Sequence, residues 1–395
     1  MSRSRSGSVV VAAAFGVLLL TYGVQYSFGL FFTALAEHFG WRRAALSGVF
    51  SLYAATYSLL AVTAGRLTDR WGPRPVVAAG ALALGGGLAL AGAAQSLAGL
   101  YGAYLLAGVG MSTAYVPCAA TVTRRFAARR GLIVGLALSG ASVGVFVCPP
   151  VTAWLIATLG WRQAYVIVGT GLTVALGLLA LGLSSSGPDP VDPDAGATSS
   201  WPPAAAIREP RFLALLGVYV ATWTPAFVPL VHLPAFADDL GLSSGTGAAA
   251  LSVLGAGSLA GRIVLGALSD RIPRRATLAL ALGFQAVGFV GLTATSGLAL
   301  LMWATVAFGV GSGGVVGLMP TVVADFFGPR HAGSLVGLIV AAAGVPMALG
   351  PLLSGWLFDA TGRYDGAFLA GAVLNLIGLA LLVVARPPAT SRRGG

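Results

Sequence analysis

The sequence predicts an all-α membrane protein, with twelve transmembrane helices in two pseudo-symmetric six-helix bundles. Three observations carry this reading. Of the 395 residues, 57% are hydrophobic and only 9% charged, against about 25% charged in a soluble domain. Twelve apolar runs are each long enough to cross a bilayer, which takes about 20 residues. A ten-residue motif also occurs twice, at the same place in each half of the series of runs.

A chain this poor in charge cannot cover itself in water, so its outer solvent is lipid. Its 57 glycines suit helices packed closely in a membrane. All the basic residues are arginines, grouped in short clusters between apolar runs. The net charge of +11 therefore reads as an orientation signal and not as a nucleic-acid surface. Cys118 and Cys148 both sit inside apolar runs, which argues against a disulfide framework. The segment from Met1 to Ser8 followed by apolar residues resembles a signal sequence, but the run continues to about Leu35 and reads as the first spanning helix.

In order, the first six runs lie near 9–35, 44–64, 74–95, 97–122, 131–158 and 163–184. The second six lie near 211–236, 246–268, 276–296, 298–325, 332–358 and 365–385. The polar break between them is rich in Pro, Asp, Ser and Gly and reads as a flexible linker. The expected organisation is a first bundle over 1–184, a cytoplasmic linker over 185–210 and a second bundle over 211–395. With the N-terminus placed in the cytoplasm, eighteen arginines fall in cytoplasmic segments, and only Arg42, Arg43, Arg162 and Arg363 fall outside. Positive charge stays on the cytoplasmic side, so both termini are expected there.

The repeat is specific. Gly65-Arg-Leu-Thr-Asp69-Arg70-Trp-Gly-Pro-Arg74 follows the second run, and Gly266-Ala-Leu-Ser-Asp270-Arg271-Ile-Pro-Arg-Arg275 follows the eighth, 201 residues later. Gly108-Val-Gly110 and Gly309-Val-Gly311 keep the same offset, while Trp154 and Trp356 are 202 apart. Duplication of a six-helix unit is the signature of a transporter whose two bundles rock about a central site.

The pattern Gly-x-Leu-x-Asp-Arg-x-x-x-Arg resembles the signature loop of the major facilitator superfamily, and the resemblance extends over the whole chain. It implies that Gly65, Asp69, Arg70 and Arg74, with Asp270 and Arg271 in the second copy, close the cytoplasmic side when the protein opens outward. The simpler reading is that these charges only orient the helices, but orientation alone does not require the aspartate. Further stretches resemble the bacterial monocarboxylate porters, with oxalate/formate exchangers as relatives. They are Tyr26-Ser-Phe-Gly-Leu-Phe-Phe, His38-Phe-Gly-Trp-Arg, Phe227-Val-Pro-Leu-Val-His232-Leu, Gly261-Arg262 and Leu357-Phe-Asp359-x-Thr-Gly-x-Tyr364.

Arg262 lies four residues before Gly266, inside the eighth run. An arginine there costs about 2.5–3.5 kcal/mol on insertion scales, so it faces a cavity or a partner. The alternatives are snorkelling to the interface and pairing with a buried acid. No acid lies in the middle of a run, which favours an anion brought from outside, and a guanidinium fork suits a carboxylate. Gln25, Tyr26, Tyr115 and Ser258 are candidate hydrogen-bonders in the same cavity, since the resemblance implies that helices one, four, seven and ten line it. Each also has a plain packing reading. His232 either carries a coupled proton or is a neutral hydrogen-bonded group near the outer end of helix seven. Animal monocarboxylate transporters place an Asp one turn before the equivalent arginine, where this chain has Ser258.

No nucleophile elbow, metal-ligand cluster or phosphate loop is present, so neither an enzyme nor an ATP-driven pump is expected, and no cofactor. The resemblance implies a small monocarboxylate of the lactate or pyruvate kind, carried with a proton across a bacterial cytoplasmic membrane. The expected working unit is a monomer in the lipid bilayer, with no nucleic-acid partner. An oxalate/formate-type exchanger or a drug exporter of the same superfamily is the alternative. The resemblance to the exchangers implies a second cation, a lysine on helix eleven, and this chain has no lysine.

Overall fold

A computed structural model of the chain describes residues 2–125, 130–183, 203–243, 245–328 and 332–385. The regular elements among them are all helices. The first four spans are α1 (Gly7–Phe39), α2 (Arg43–Trp71), α3 (Pro73–Gly92) and α4 (Leu97–Thr123). The next apolar stretch, Ile133–Gly182, has 50 residues. At 1.5 Å per residue that is about 75 Å, more than twice a hydrocarbon core of about 30 Å. It is broken at Gly160, whose φ of 79° and ψ of 159° leave the helical region. The two crossings are α5 (133–159) and α6 (161–182). Then follow α7 (Pro210–Asp239), α8 (Thr246–Leu268), α9 (Arg274–Thr293), α10 (Leu298–Phe327), α11 (Leu335–Thr361) and α12 (Asp365–Val384). Among the described residues, eleven apolar stretches thus make twelve crossings.

Two boundaries differ from the sequence reading in ways that matter. A loop is expected over 159–162, but a single glycine in the left-handed region makes the turn. Gly362, 202 residues later, also has a positive φ of 69°, at the start of the three-residue turn between α11 and α12. The repeated motif is not a loop in the first half either. Gly65 to Arg70 occupy the last turns of α2, and only Gly72 (φ 82°) separates that helix from α3. Helical backbone bonds are satisfied internally, so α2 runs on into the polar interface where its charges are solvated. In the second copy α8 ends at Leu268, and Asp270 and Arg271 lie in the turn that follows. Most of the expected linker, residues 185–202, lies outside the described residues, as do the last ten residues with their arginines.

Helices within a bundle meet on glycines. A Cβ on Gly140 or Gly144 of α5 would come 2.2 or 2.0 Å from the carbonyl oxygens of Phe15 or Leu19 on α1. In the second half Gly261 and Gly313 bring α8 and α10 into similar contact, through the carbonyls of Val310 and Ser258. Without a hydrophobic drive between helices in lipid, this close backbone approach supplies the packing. The apolar core of the first half continues into α7 through Phe227, Leu230 and Val231, so the two bundles are joined.

Several spans are interrupted at mid-depth. Turns occur at Ser27 in α1, 112–114 in α4, Ser139 in α5 and 224–226 in α7. Pro117 in α4, and Pro225 and Pro229 in α7, lack the N–H of a regular helix and clash with the carbonyl four residues back. Non-helical backbone at this depth is tolerated where it lines a cavity or is buried in protein.

The end of the molecule where α1 and α7 begin and α6 and α12 finish is here the near end, and the opposite one the far end. Between bundles, α1 meets α7 at Gly29 and Leu230, α2 meets α11 at Gly355 and Arg43, and α5 meets α8 at Phe146 and Gly255. Gly29 and Gly355 lie toward the far end, and Gly255 closer to the middle.

Candidate functional site

Arg262 sits six residues before the end of α8 at Leu268, about 9 Å inside the helix terminus. Its Nη1 donates to the carbonyl oxygen of Leu138 on α5 at 3.2 Å, a bond that crosses between bundles. Its Nε is buried and has no partner. No described residue forms an ion pair with it, and the edge formed by Nε and the second Nη has the spacing of a carboxylate's two oxygens. Gly317 of α10 makes room for the stem, since a Cβ there would lie 3.3 Å from Cγ of Arg262.

Tyr22 and Tyr26 of α1 and Tyr115 of α4 all lie within electrostatic reach of this guanidinium. Tyr26 precedes the break at Ser27, Tyr115 follows the break at 112–114, and Leu138 precedes the break at Ser139. Three of the four interrupted helices, α1, α4 and α5, therefore bring residues near their breaks to Arg262. Tyr26 also packs edge-on to Phe227 of α7, with ring centroids 6.5 Å apart.

The other expected partners are placed differently. Gln25 is buried within the first half, where its Oε1 accepts from the Tyr53 hydroxyl at 3.4 Å and its Nε2 has no partner. Ser258 is half-buried, and its carbonyl seats Gly313 of α10.

The charges of the repeated motif stay at the near end. Asp69, Arg70, Asp270 and Arg271 are exposed. Arg74 donates from Nε to the carbonyl of Leu183 at 3.0 Å, just past α6. Arg275 makes the equivalent bonds to Leu382 and Val383 of α12, at 2.9 and 2.7 Å. Each motif thus ends in an arginine that caps the last helix of its own half, where carbonyls are otherwise unpaired. Arg274 forms an ion pair with Asp325 of α10, again within one half.

His232 is fully buried in α7 toward the far end. Its Nδ1 lies 3.0 Å from the hydroxyl of Tyr364, and its Nε2 lies 3.0 Å from the carbonyl oxygen of Pro351 on α11 and 3.3 Å from Ser47 of α2. The same Tyr364 hydroxyl accepts from Nη1 of Arg43 at 2.7 Å. Burial pushes the Tyr364 hydroxyl well above the usual tyrosine range, so it keeps its proton. Arg43 grips Asp239 with both Nη atoms at 2.6 Å and lies over the Phe358 ring, 3.8 Å from its centroid. Asp359 completes the cluster by accepting from the backbone N–H groups of Arg43 and Ala44, at 3.1 and 2.9 Å. A carboxylate there complements the positive end of α2.

Sequence reading missed this cluster. Arg43 enters it only as one of four outer arginines, and Asp239 lies beyond the expected end of its run. The available signal was that Asp359 and Tyr364 fall in one of the stretches that resemble a known family.

A profile of the family described as the Major Facilitator Superfamily matches residues 14–342 and 231–395. The chain is 33% identical over 390 residues to monocarboxylate transporter 11 of Homo sapiens, covering 94% of this chain and 81% of that protein. It is 31% identical over 387 residues to monocarboxylate transporter 13 of Bos taurus, covering 95% and 88%. Among solved structures, a bacterial homolog of the human lysosomal transporter Spinster is similar in fold. Its inward-facing, occupied form gives a TM-score of 0.74 at 17% identity over 96% of both chains. Its unoccupied form gives 0.70 at 16% identity, over 96% of this chain and 95% of that one.

Proposed function

The chain belongs to the Major Facilitator Superfamily and is a transporter, not an enzyme, and from that premise we propose that it moves a small monocarboxylate across a bacterial cytoplasmic membrane by alternating access, together with a proton. The observation that carries the reading is Arg262: a cation within a span, with a free guanidinium edge and no carboxylate partner among the described residues. A buried charge without a counter-ion is costly, and an organic anion offsets that cost while leaving the site specific for it. Tyr22, Tyr26 and Tyr115 supply hydroxyls around the anion, and the relatives named as monocarboxylate transporters agree with the class.

In this reading both termini face the cytoplasm, the near end is the inside, and a single chain holds the whole pathway. The first bundle (1–184) and the second (211–395) rock about the central site between them. Contacts such as Gly29 to Leu230, Gly355 to Arg43 and Arg43 to Asp239 close the outer side, and the opposite movement would close the inner one. The motif residues Gly65, Asp69, Arg70, Arg74, Asp270 and Arg271 would meet when that side shuts.

The test is uptake into proteoliposomes of labelled lactate, pyruvate, acetate and oxalate, with and without a pH gradient, beside the Arg262→Gln and Arg262→Lys variants. Monocarboxylates are expected to compete with one another while their neutral amides do not. Arg262→Lys keeps a charge but loses the planar fork, and the loss of one charge-assisted hydrogen bond, worth about 1.5–3 kcal/mol, weakens binding about tenfold or more. Arg262→Gln is expected to do worse and to lose the preference for acid over amide. An Arg262→Gln protein that still prefers the acid places carboxylate recognition elsewhere.

A further inference from the structure

The cluster at the far end does more than hold two bundles together. Two of its members fix the hydrogen atoms of the rest. A guanidinium only donates and a carbonyl oxygen only accepts. Arg43 therefore donates to the Tyr364 oxygen, which leaves the Tyr364 O–H to donate to Nδ1 of His232. Nε2 of His232 must then carry the ring proton, which it donates to the Pro351 carbonyl. In this arrangement His232 is neutral, protonated on Nε2, and both of its ring nitrogens are used.

We propose that Arg43 and Asp239 are the outer gate of the transport cycle and that Tyr364 is the positioning residue which couples the gate to the protonation of His232. The proposal rests on the transport reading above for the word "outer", and on the far-end geometry for the rest. A second proton on His232 has to sit on Nδ1, facing the Tyr364 oxygen. That oxygen already accepts from Arg43 and bears its own hydrogen. The Tyr364 hydrogen then has to rotate away and two cations converge on one oxygen, and their repulsion drives Arg43 back and weakens its two-pronged grip on Asp239. A closed gate admits neutral His232, and a protonated His232 favours an open one. Coupling of this kind is reciprocal, so opening the gate raises the affinity of His232 for a proton.

The charged and titratable groups around the ring come from several elements. Arg43 comes from α2, Tyr364 from the turn before α12, Asp359 from α11, and Asp238 and Asp239 from α7 itself, while Glu37 of α1 lies within reach of Asp238. Loss of charge on a carboxylate would loosen the gate as well, and the experiment has to separate that route from His232. It also separates the gate from the identity of the substrate, because it needs no transport.

The full chain, with Cys118 and Cys148 replaced by alanine, is reconstituted in lipid nanodiscs with spin labels at Gln95 and Ala294. Both positions are exposed in far-end turns, one in each half. Distances are measured at about pH 8 and about pH 5.5, which bracket the ordinary imidazole range. The parent is expected to give a short distance at the higher pH and a growing long-distance population at the lower. Arg43→Ala and Asp239→Asn are expected to raise the long-to-short ratio about tenfold at the higher pH, as loss of a charge-assisted bond implies. Tyr364→Phe and His232→Gln are expected to stay closed at the higher pH and to lose the acid response. If Arg43→Ala and Asp239→Asn both leave the distances unchanged, the pair is not a gate. If Tyr364→Phe and His232→Gln both open on acidification as the parent does, the carboxylates carry the response and the coupling through Tyr364 is wrong.

Discussion

The two ends of the molecule carry their charges in opposite ways. At the near end the motif is written twice, yet each of Arg74, Arg274 and Arg275 bonds inside its own half. At the far end the repeat is looser, and Arg43 reaches from α2 to Asp239 of α7, to Tyr364 and over Phe358. The contrast is sharpest at one pair of equivalent positions. Gly160-Trp-Arg162 and Gly362-Arg-Tyr364, 202 residues apart, each begin with a glycine of positive φ between two crossings. Arg162 donates to the carbonyls of Gly92 and Ala94 at the end of α3, within its half, whereas Tyr364 binds both His232 and Arg43. Repetition preserves what folds a bundle. Contact between bundles is built where the repeat departs from itself.

The largest effect that probes this contrast is a wedge at the far end. A Cβ on Gly355 would stand 2.6 Å from Oγ of Ser47 and 2.8 Å from the Arg43 carbonyl. Overpacking of this kind costs about 1–3 kcal/mol. Gly355→Val is expected to cut uptake about 10- to 100-fold and to lengthen the distance between labels at Gln95 and Ala294. Uptake at the parent rate would show that the seam tolerates separation there.

A smaller effect is expected at the near end. Asp69→Asn should slow transport while changing substrate affinity by less than about tenfold, roughly 1.4 kcal/mol. A residue that biases the conformational equilibrium need not touch the ligand. An unaltered rate would return the first motif to an orientation signal.

The smallest effects belong to the capping arginines. Arg74→Gln and Arg275→Gln each remove donors to the carbonyls that end a bundle, worth about 1 kcal/mol in partly solvated positions. Similar losses of thermal stability in the two variants, with the far-end label distance unchanged, are the expected result. A change in that distance would mean that these arginines act beyond their own half.

Much of this is legible in the sequence. Hydrocarbon thickness makes each crossing a long apolar run, so twelve crossings and their order follow from counting. The two copies of Gly-x-Leu-x-Asp-Arg mark the duplication by themselves. Arg262 stood out because charge within a span is rare. The breaks in α4 and α7 were half-legible in Pro117, Pro225 and Pro229, while Ser27 and Ser139 carry no such sign.

What the sequence by itself determined is the part that depends on one helix and its solvent: which segments enter lipid, where they stop, and which charge is out of place. Partners across the bundles were decided only in three dimensions. Arg42 and Arg43 are alike as charges in a row, yet Arg43 opens α2, faces α7 and α11, and takes Asp239 and Asp359, which come from 196 and 316 residues away. Nothing local distinguishes the two. The choice is made by the rotation of α2 about its axis and by the glycines that let α11 approach it, and those are properties of how the helices dock.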